Sequence, residues 1–311
     1  MTAGRDEPTG QRRRPVGLGH LTLLDVAPPD LVVLAGRAGF EAVGLRAAVA
    51  SPTEEPWPMA VGSPMLRETL RRMDDTGVRV ADVEIIRLSP ETRAADLRGL
   101  FETGAELGAR FVNVIDFDPD HRRAADTIAA IAEEAAPFGL RPCIEPMVYS
   151  GLKSLADAVT VIDGSAAGII VDPLHLQRCG DTPADLRRLD PRLLGYFQLC
   201  DGMLTEPSGL PRHHRLPRGQ PADVDDAQLE ARVARMLPGE GELPLREIIA
   251  AVPPDLTVAI EAPNLQLSAR LGIPAFLRRA RDAAARLLDA PSREPGPPGP
   301  PDSSDRQEAR Q

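Results

Sequence analysis

The feature that most constrains this chain is an alternation. Short β-branched runs are followed by Ala/Leu/Arg-rich stretches that close on glycine, over and over. FEAVGL (40–45) reads as a strand. SPMLRETLRRMDDTG follows as a helix, with Ser63 as N-cap, Pro64 at the first helical position and Gly77 as stop. VRVADVEIIRL, RFVNVID, RPCIEP, GIIVDP, GYFQLCD and LTVAIEAP continue the strand series. AADLRGLFETGAELG, HRRAADTIAAIAEEAAPFG, SLADAVTVIDG, DTPADLRRL, ELPLREIIAAV and the stretch from about 268 to 289 continue the helices. With HLTLLDV near residue 20 the strands number eight. Strand–helix alternation dictates a parallel sheet, because a parallel return needs a crossover. Eight units in one chain of this length predict a closed α/β structure, a single (β/α)8 TIM barrel, over residues 15–290. An open doubly wound sheet would carry a glycine-rich phosphate loop after its first strand, and GLGHLTLL does not open a helix.

Composition bounds the partners. Acidic residues outnumber basic ones, 46 to 36, for a net charge of −10, a field that repels phosphate backbones and argues against nucleic acid. No apolar run of about 18 residues is present, so no membrane partner is expected. Cys143, Cys179 and Cys200 form no C-x-x-C pair and fit reduced thiols in a cytoplasm. Residues 1–14 lack the apolar core of a signal peptide and read as a disordered leader. Residues 291–311 are Pro-rich and polar and read as a flexible tail.

Barrel strands alternate their side chains between lumen and helix layer. In GYFQLCD, Phe197 and Leu199 then face the helices, while Tyr196, Gln198 and Cys200 face the lumen. The same alternation turns Glu145, Asp172 and Glu261 inward at the ends of strands five, six and eight. That rim is where active sites of this fold lie. Three carboxylates converging without counter-charge repel: at ~4 Å and an effective dielectric of ~20, each pair costs roughly 4 kcal/mol. A divalent cation relieves this and accepts the amide oxygen of Gln198, so Glu145, Asp172, Gln198 and Glu261 are the expected metal ligands. An all-oxygen set suits Mn²⁺ or Mg²⁺, with Co²⁺ as a substitute. Asp201 is expected to cap its strand or orient the site. Glu84, Asn113 and Arg46 also face inward; Arg46 and Glu84 form either a buried ion pair or substrate contacts.

GFEAVGLR, CIEP, VDPLH, FQLCD, LPGEGELPL and AIEAP stand in the order found in xylose isomerase-like TIM barrels, which the chain resembles over about residues 16–289. This group includes sugar-phosphate isomerases and epimerases, ketose 3-epimerases, inosose and 3-dehydroshikimate dehydratases, and apurinic-site endonucleases. The resemblance implies one metal held by Glu, Asp, His and Glu from strands five to eight. Gln198 stands where many members have histidine; members similar to 3-dehydroshikimate dehydratases carry glutamine there. His175, in D-x-x-H, is implied to contact substrate oxygens from the loop beyond Asp172. An arginine before the PGEG turn is implied to grip substrate, with Arg232 favoured over Arg235. The turn itself would bring backbone N–H groups and Glu240 to the mouth. The endonucleases use several additional histidines to hold three zinc ions, whereas of the five histidines here only His175 matches a family position.

The expected function is metal-dependent isomerisation or epimerisation of a keto-sugar, polyol or cyclic hydroxyketone. In this scheme Glu145 and Glu261 exchange protons next to the carbonyl, and His175 assists. Dehydration by loss of a β-hydroxyl is the alternative reaction. A sugar-binding barrel without turnover and a multi-metal phosphoesterase are the competing classes. A homodimer or homotetramer is expected from the resemblance.

Overall fold

A computed structural model describes residues 14–289. The leader expected over 1–14, apart from Arg14, and the tail expected over 291–311 lie outside the described residues. The described chain closes eight parallel strands into a barrel in sequence order, β1 to β8. The strands and helices run β1 Val16–Leu18, α1 Pro28–Ala38, β2 Ala42–Arg46, α2 Pro64–Thr76, β3 Arg79–Leu88, α3 Arg98–Glu106, β4 Phe111–Asp116, α4 His121–Ala135, β5 Arg141–Glu145 and α5 Leu155–Ile162. They continue β6 Gly168–Val171, α6 Pro173–Cys179, α7 Pro183–Arg188, β7 Leu194–Leu199, α8 Asp226–Val233, α9 Leu245–Ala251, β8 Thr257–Ile260, α10 Leu265–Leu271 and α11 Ile273–Leu288.

Local chemistry explains the boundaries. The Ser63 hydroxyl accepts the Leu66 N–H at 3.1 Å, and Gly77 ends α2 in the left-handed region at φ 72°. Both are the signals read from sequence. The inward and outward faces also fall as the alternation predicts. Ile144, Val171, Phe197, Leu199, Val258 and Ile260 join the core between barrel and helices. Phe111, Cys143, Ile170 and Tyr196 form a separate cluster in the lumen.

Three expectations are corrected. HLTLLDV is not a strand: β1 is the shorter Val16–Leu18, and His20–Leu23 is a 3-10 turn. Side chains there replace ladder bonds. Thr22 Oγ1 donates to the Ile260 carbonyl at 3.1 Å and accepts the Ala262 N–H at 3.1 Å. The stretch expected as one helix over 268–289 is two, broken where Gly272 takes φ 74° and Pro274 enters the first turn of α11. His175 does not lie in a loop. It sits in the first turn of α6, a helix that the short VDPLHLQRCG stretch did not announce.

His20 ties the entry of the barrel together. It is fully buried; its Nδ1 accepts the Arg46 N–H at 2.8 Å, so Nε2 carries the proton and faces the Val26 carbonyl at 2.9 Å. Burial first, and then the nearby Arg46 and Arg218 charges, lower its pKa to about 3 despite the bond to Val26. An unfolded histidine titrates near ~6.5, so the unfolded chain binds the extra proton first. The stability contributed by neutral His20 is therefore complete above that value and is lost as pH falls toward about 3. We expect denaturant unfolding to show a slope near 1.4 kcal/mol per pH unit from this residue between pH ~6 and ~4. His20→Gln should remove that slope while lowering stability at neutral pH; an unchanged slope would refute the assignment.

Candidate active site

The C-terminal rim gathers the acidic residues. Glu145 ends β5, Asp172 follows β6, Gln198 lies in β7 and Glu261 follows β8, all four at most 4 % exposed. Asp172 does two things. Its Oδ1 caps α6, accepting the Leu174 N–H at 2.8 Å and the His175 N–H at 3.1 Å. Its Oδ2 is ion-paired with Arg235. The cap fixes the first turn of α6 and thereby brings His175 back over the site. Ligand atoms of Glu145, Asp172 and His175 lie within 4.8 Å of one another.

Arg235 is the arginine on the carboxylates. It is 1 % exposed; Nη2 lies 3.2 Å from Glu261 Oε2 and 3.2 Å from His175 Nε2, and Nε donates to the Ala231 carbonyl at 2.8 Å. A guanidinium only donates, so His175 Nε2 presents its lone pair here. Burial, with the Arg235 charge adding, lowers the His175 pKa to about 4 against the pull of Asp172, leaving the ring neutral. Burial raises Glu261 to about 8, with Arg235 opposing and Glu84 and Asp172 adding to the rise. Burial and then Glu261 and Asp172 push Glu145 well above the usual carboxylate range. For Asp172, burial works upward, but Arg235 and His175 outweigh it and hold the group low.

Gln198 meets Glu261: its Nε2 donates to Glu261 Oε1 at 2.9 Å, while Gln198 Oε1 is buried without a partner. Glu145 Oε1 is likewise buried and unpartnered, 3.8 Å from His175 Nε2. Arg46 sits between Glu84 at 3.3 Å and Glu54 at 3.5 Å, so the ion pair weighed from sequence is present and Glu54 extends it. Glu84, Asn113, Arg46 and Arg232 all line the same cavity as Glu145, Glu261 and His175. Arg232 donates to the Pro221 carbonyl at 2.9 Å. Tyr149, which the sequence reading did not single out, stands edge-on to His175 with ring centroids 5.7 Å apart.

The PGEG turn serves differently from expectation. Asp201 accepts the N–H groups of Gly239 at 2.9 Å and Gly241 at 3.0 Å, together with those of Gly202 at 2.9 Å and Leu243 at 3.1 Å, while the Glu240 N–H goes to the Leu237 carbonyl. Asp201 also pairs through its backbone with Met236, the neighbour of Arg235. Glu240 turns to Arg279, at 2.6 Å.

The family profile of the xylose isomerase-like TIM barrel matches residues 32–266. The chain belongs to this family. Solved structures of the same shape include IolI with a bound zinc atom (14 % identity, TM-score 0.64, 88 % of this chain and 98 % of that one). D-psicose 3-epimerase in the presence of D-fructose is similar at 17 % identity, with TM-score 0.65 and coverage of 89 % of this chain and all of that one. A xylose isomerase domain protein from Salmonella typhimurium LT2 shares 16 % identity, with TM-score 0.64 and coverage of 88 % of this chain and 97 % of that one. At these identities the likeness concerns the fold. No curated protein matches the chain in sequence.

Two stability predictions follow from the geometry. Arg235→Met leaves Asp172 and Glu261 buried beside no guanidinium and should cost about 3–5 kcal/mol in chelator-treated protein, read by denaturant unfolding at neutral pH. Asp201→Ala strips an acceptor from four N–H groups and should cost at least ~2 kcal/mol. Amide exchange in that variant should speed up at 239–243 before it does in the strands.

Proposed function

We propose that this member of the family is a divalent-metal-dependent isomerase or epimerase of a small polyhydroxy carbonyl compound. The reading rests on one observation above others: Glu145 and Glu261, three strands apart around the ring, face one cavity, with His175 lining it as well. Two carboxyl groups on different walls can remove a proton from one face of a carbon next to a carbonyl and return it from another. Return to the same carbon inverts it; return to the neighbouring carbon moves the carbonyl.

A divalent cation suits the donors that remain open, although it would share Asp172 and Glu261 with Arg235. Glu145, Asp172 and His175 are already clustered, and the buried oxygens Glu145 Oε1 and Gln198 Oε1 lack partners. Glu145, Asp172 and Glu261, with the Gln198 amide oxygen as the neutral donor, would hold Mn²⁺ or Mg²⁺, or Co²⁺ as a substitute; the His175 lone pair is close enough to join them. When bound, such an ion stabilises negative charge developing on substrate oxygens. The Arg235 fork supplies hydrogen bonds to the same oxygens, and the neutral His175 can accept one from a substrate hydroxyl at Nε2. Asn113, Arg232 and the Arg46–Glu84 pair orient the rest of the molecule. The epimerase neighbour, crystallised in the presence of D-fructose, supports a small keto-sugar; polyols and cyclic hydroxyketones present the same groups.

A second reading, loss of a β-hydroxyl, is favoured by Gln198. Its N–H on Glu261 keeps that carboxylate in one orientation as a base. Both readings begin with the same proton removal. Protein loaded with one Mn²⁺ per chain should therefore exchange solvent deuterium into a member of a panel of ketohexoses, inososes and 3-dehydroshikimate. Glu145→Gln and Glu261→Gln should each slow exchange by at least ~10²-fold. No exchange across the panel with metal bound would sink the proposal.

A further inference from the structure

Four arginines line the cavity: Arg46, Arg87, Arg232 and Arg235. Two are neutralised. Arg46 lies on Glu54 and Glu84, and Arg235 on Asp172 and Glu261. Arg87 and Arg232 have no carboxylate within ion-pairing distance among the described residues. This is unusual for a chain in which acidic residues outnumber basic ones, 46 to 36. Even exposed arginines find partners here: Arg98 on Glu102 at 2.9 Å and Arg188 on Asp185 at 2.6 Å.

Each of the two is held with N–H groups to spare. Arg87, at the outer end of β3, lies with its guanidinium 3.5 Å from the centroid of the Phe117 ring. Stacking uses the flat face of the group and leaves the in-plane N–H donors free. Arg232, near the end of α8, spends Nη1 on the Pro221 carbonyl, which fixes the side chain and leaves the other donors. Pro221 is itself placed by the long segment after β7. There Arg218 stacks at 3.8 Å on the Trp57 ring and donates to the Glu55 and Pro56 carbonyls, folding this segment against the one after β2. Burial and then the charge of Arg232 lower the Arg87 pKa, so the two cations feel each other. Two like charges sharing a cavity repel, and an anion between them removes that cost.

Exposure orders the site from outside in. Arg87 is exposed and Arg232 half-buried, whereas Glu145, Glu261 and Arg235 are buried. Gln220 and Asn113 also line the cavity, both buried, each with an amide oxygen lacking a partner and suited to a hydroxyl. We propose that Arg87 and Arg232 form an anion clamp at the mouth of the cavity, so that the substrate is a polyhydroxy carbonyl compound carrying a carboxylate or phosphate at the end remote from the reacting carbon. This deepens the function proposed above and depends on the cavity being the substrate site. It sets this chain apart from a barrel built for neutral ketohexoses.

The test is binding, which does not require turnover. Calorimetric titration of the Mn²⁺-loaded protein would compare D-fructose, D-fructose 6-phosphate and 3-dehydroshikimate. One of the two anions should bind about tenfold or more tighter than D-fructose, and which one does identifies the group as phosphate or carboxylate. Arg87→Met should abolish that advantage while leaving D-fructose binding and the thermal midpoint unchanged; Arg232→Met should abolish it as well, and because Arg232 also contacts Pro221 its D-fructose affinity is compared only with its own anion affinity. Arg87→Lys should retain part of the advantage. If neither anion binds better than D-fructose, or if the advantage survives in both Met variants, the clamp is wrong. Deuterium exchange is read separately, so a failed clamp with intact exchange leaves the isomerase reading standing. Selective anion binding without exchange leaves the clamp and removes the reaction.

Discussion

Asp82, Glu84, Glu145, Asp172 and Glu261 are all buried within one closed sheet, and the placement of positive charge among them governs the rest of the site. Acids this close in a low-dielectric lumen cost several kcal/mol per pair unless protons or cations intervene. The protein supplies two guanidinium groups from different directions. Arg46, from β2, serves Glu84 and Glu54; Arg235, from beyond α8, serves Asp172 and Glu261. Glu145 is left without such a partner, as is Asp82, whose two oxygens have no hydrogen bonds. Burial, followed by Glu84 and Glu261, drives Asp82 well above the carboxylate range. Gly44 makes room for it: a Cβ there would lie 2.8 Å from both of its oxygens. Glu145 differs in facing the cavity, where a cation or a transferred proton can reach it.

Arg235 reaches this position through a chain of local decisions. Asp201, one residue beyond Cys200 at the end of β7, binds the N–H groups of the glycine turn. Gly241 must be glycine because a Cβ would meet the Gly202 carbonyl at 2.4 Å and Asp201 Oδ1 at 2.5 Å. The clasp fixes the return of the chain after α8, the Asp201–Met236 bridge sets its register, and the neighbouring Arg235 is delivered into the lumen. A carboxylate that does not line the cavity thus helps to set where the charge of the site sits. The same long segment carries Arg232 and Gln220, so the wall of the cavity and its counter-charge come from one piece of chain.

Much of the barrel was legible because its signals are local. Caps such as Ser63 and stops such as Gly77 act within one turn of helix, and strand alternation has a period of two. That period placed Glu145, Asp172, Gln198 and Glu261 on the lumen side. It failed at HLTLLDV, where His20 and Thr22 bond backbone groups of other segments and override the apolar pattern. It also missed α6, whose N-cap is the Asp172 carboxylate. A residue read for its charge was also a helix cap.

Periodicity, turn chemistry and motif order are enough to specify the eight-unit barrel, the rim on which the acids lie, and the family to which the chain belongs. Tertiary structure alone decided which arginine meets which acid. Arg232 and Arg235 are three residues apart near the end of one short helix, and no pattern in the chain distinguishes them. Only the closed ring, with the Asp201 clasp fixing the path of the return segment, sends one guanidinium to the buried carboxylates and leaves the other at the cavity mouth. Electrostatic pairing depends on distances across the barrel, and these are set by closure of β1 on β8 rather than by neighbours in the chain.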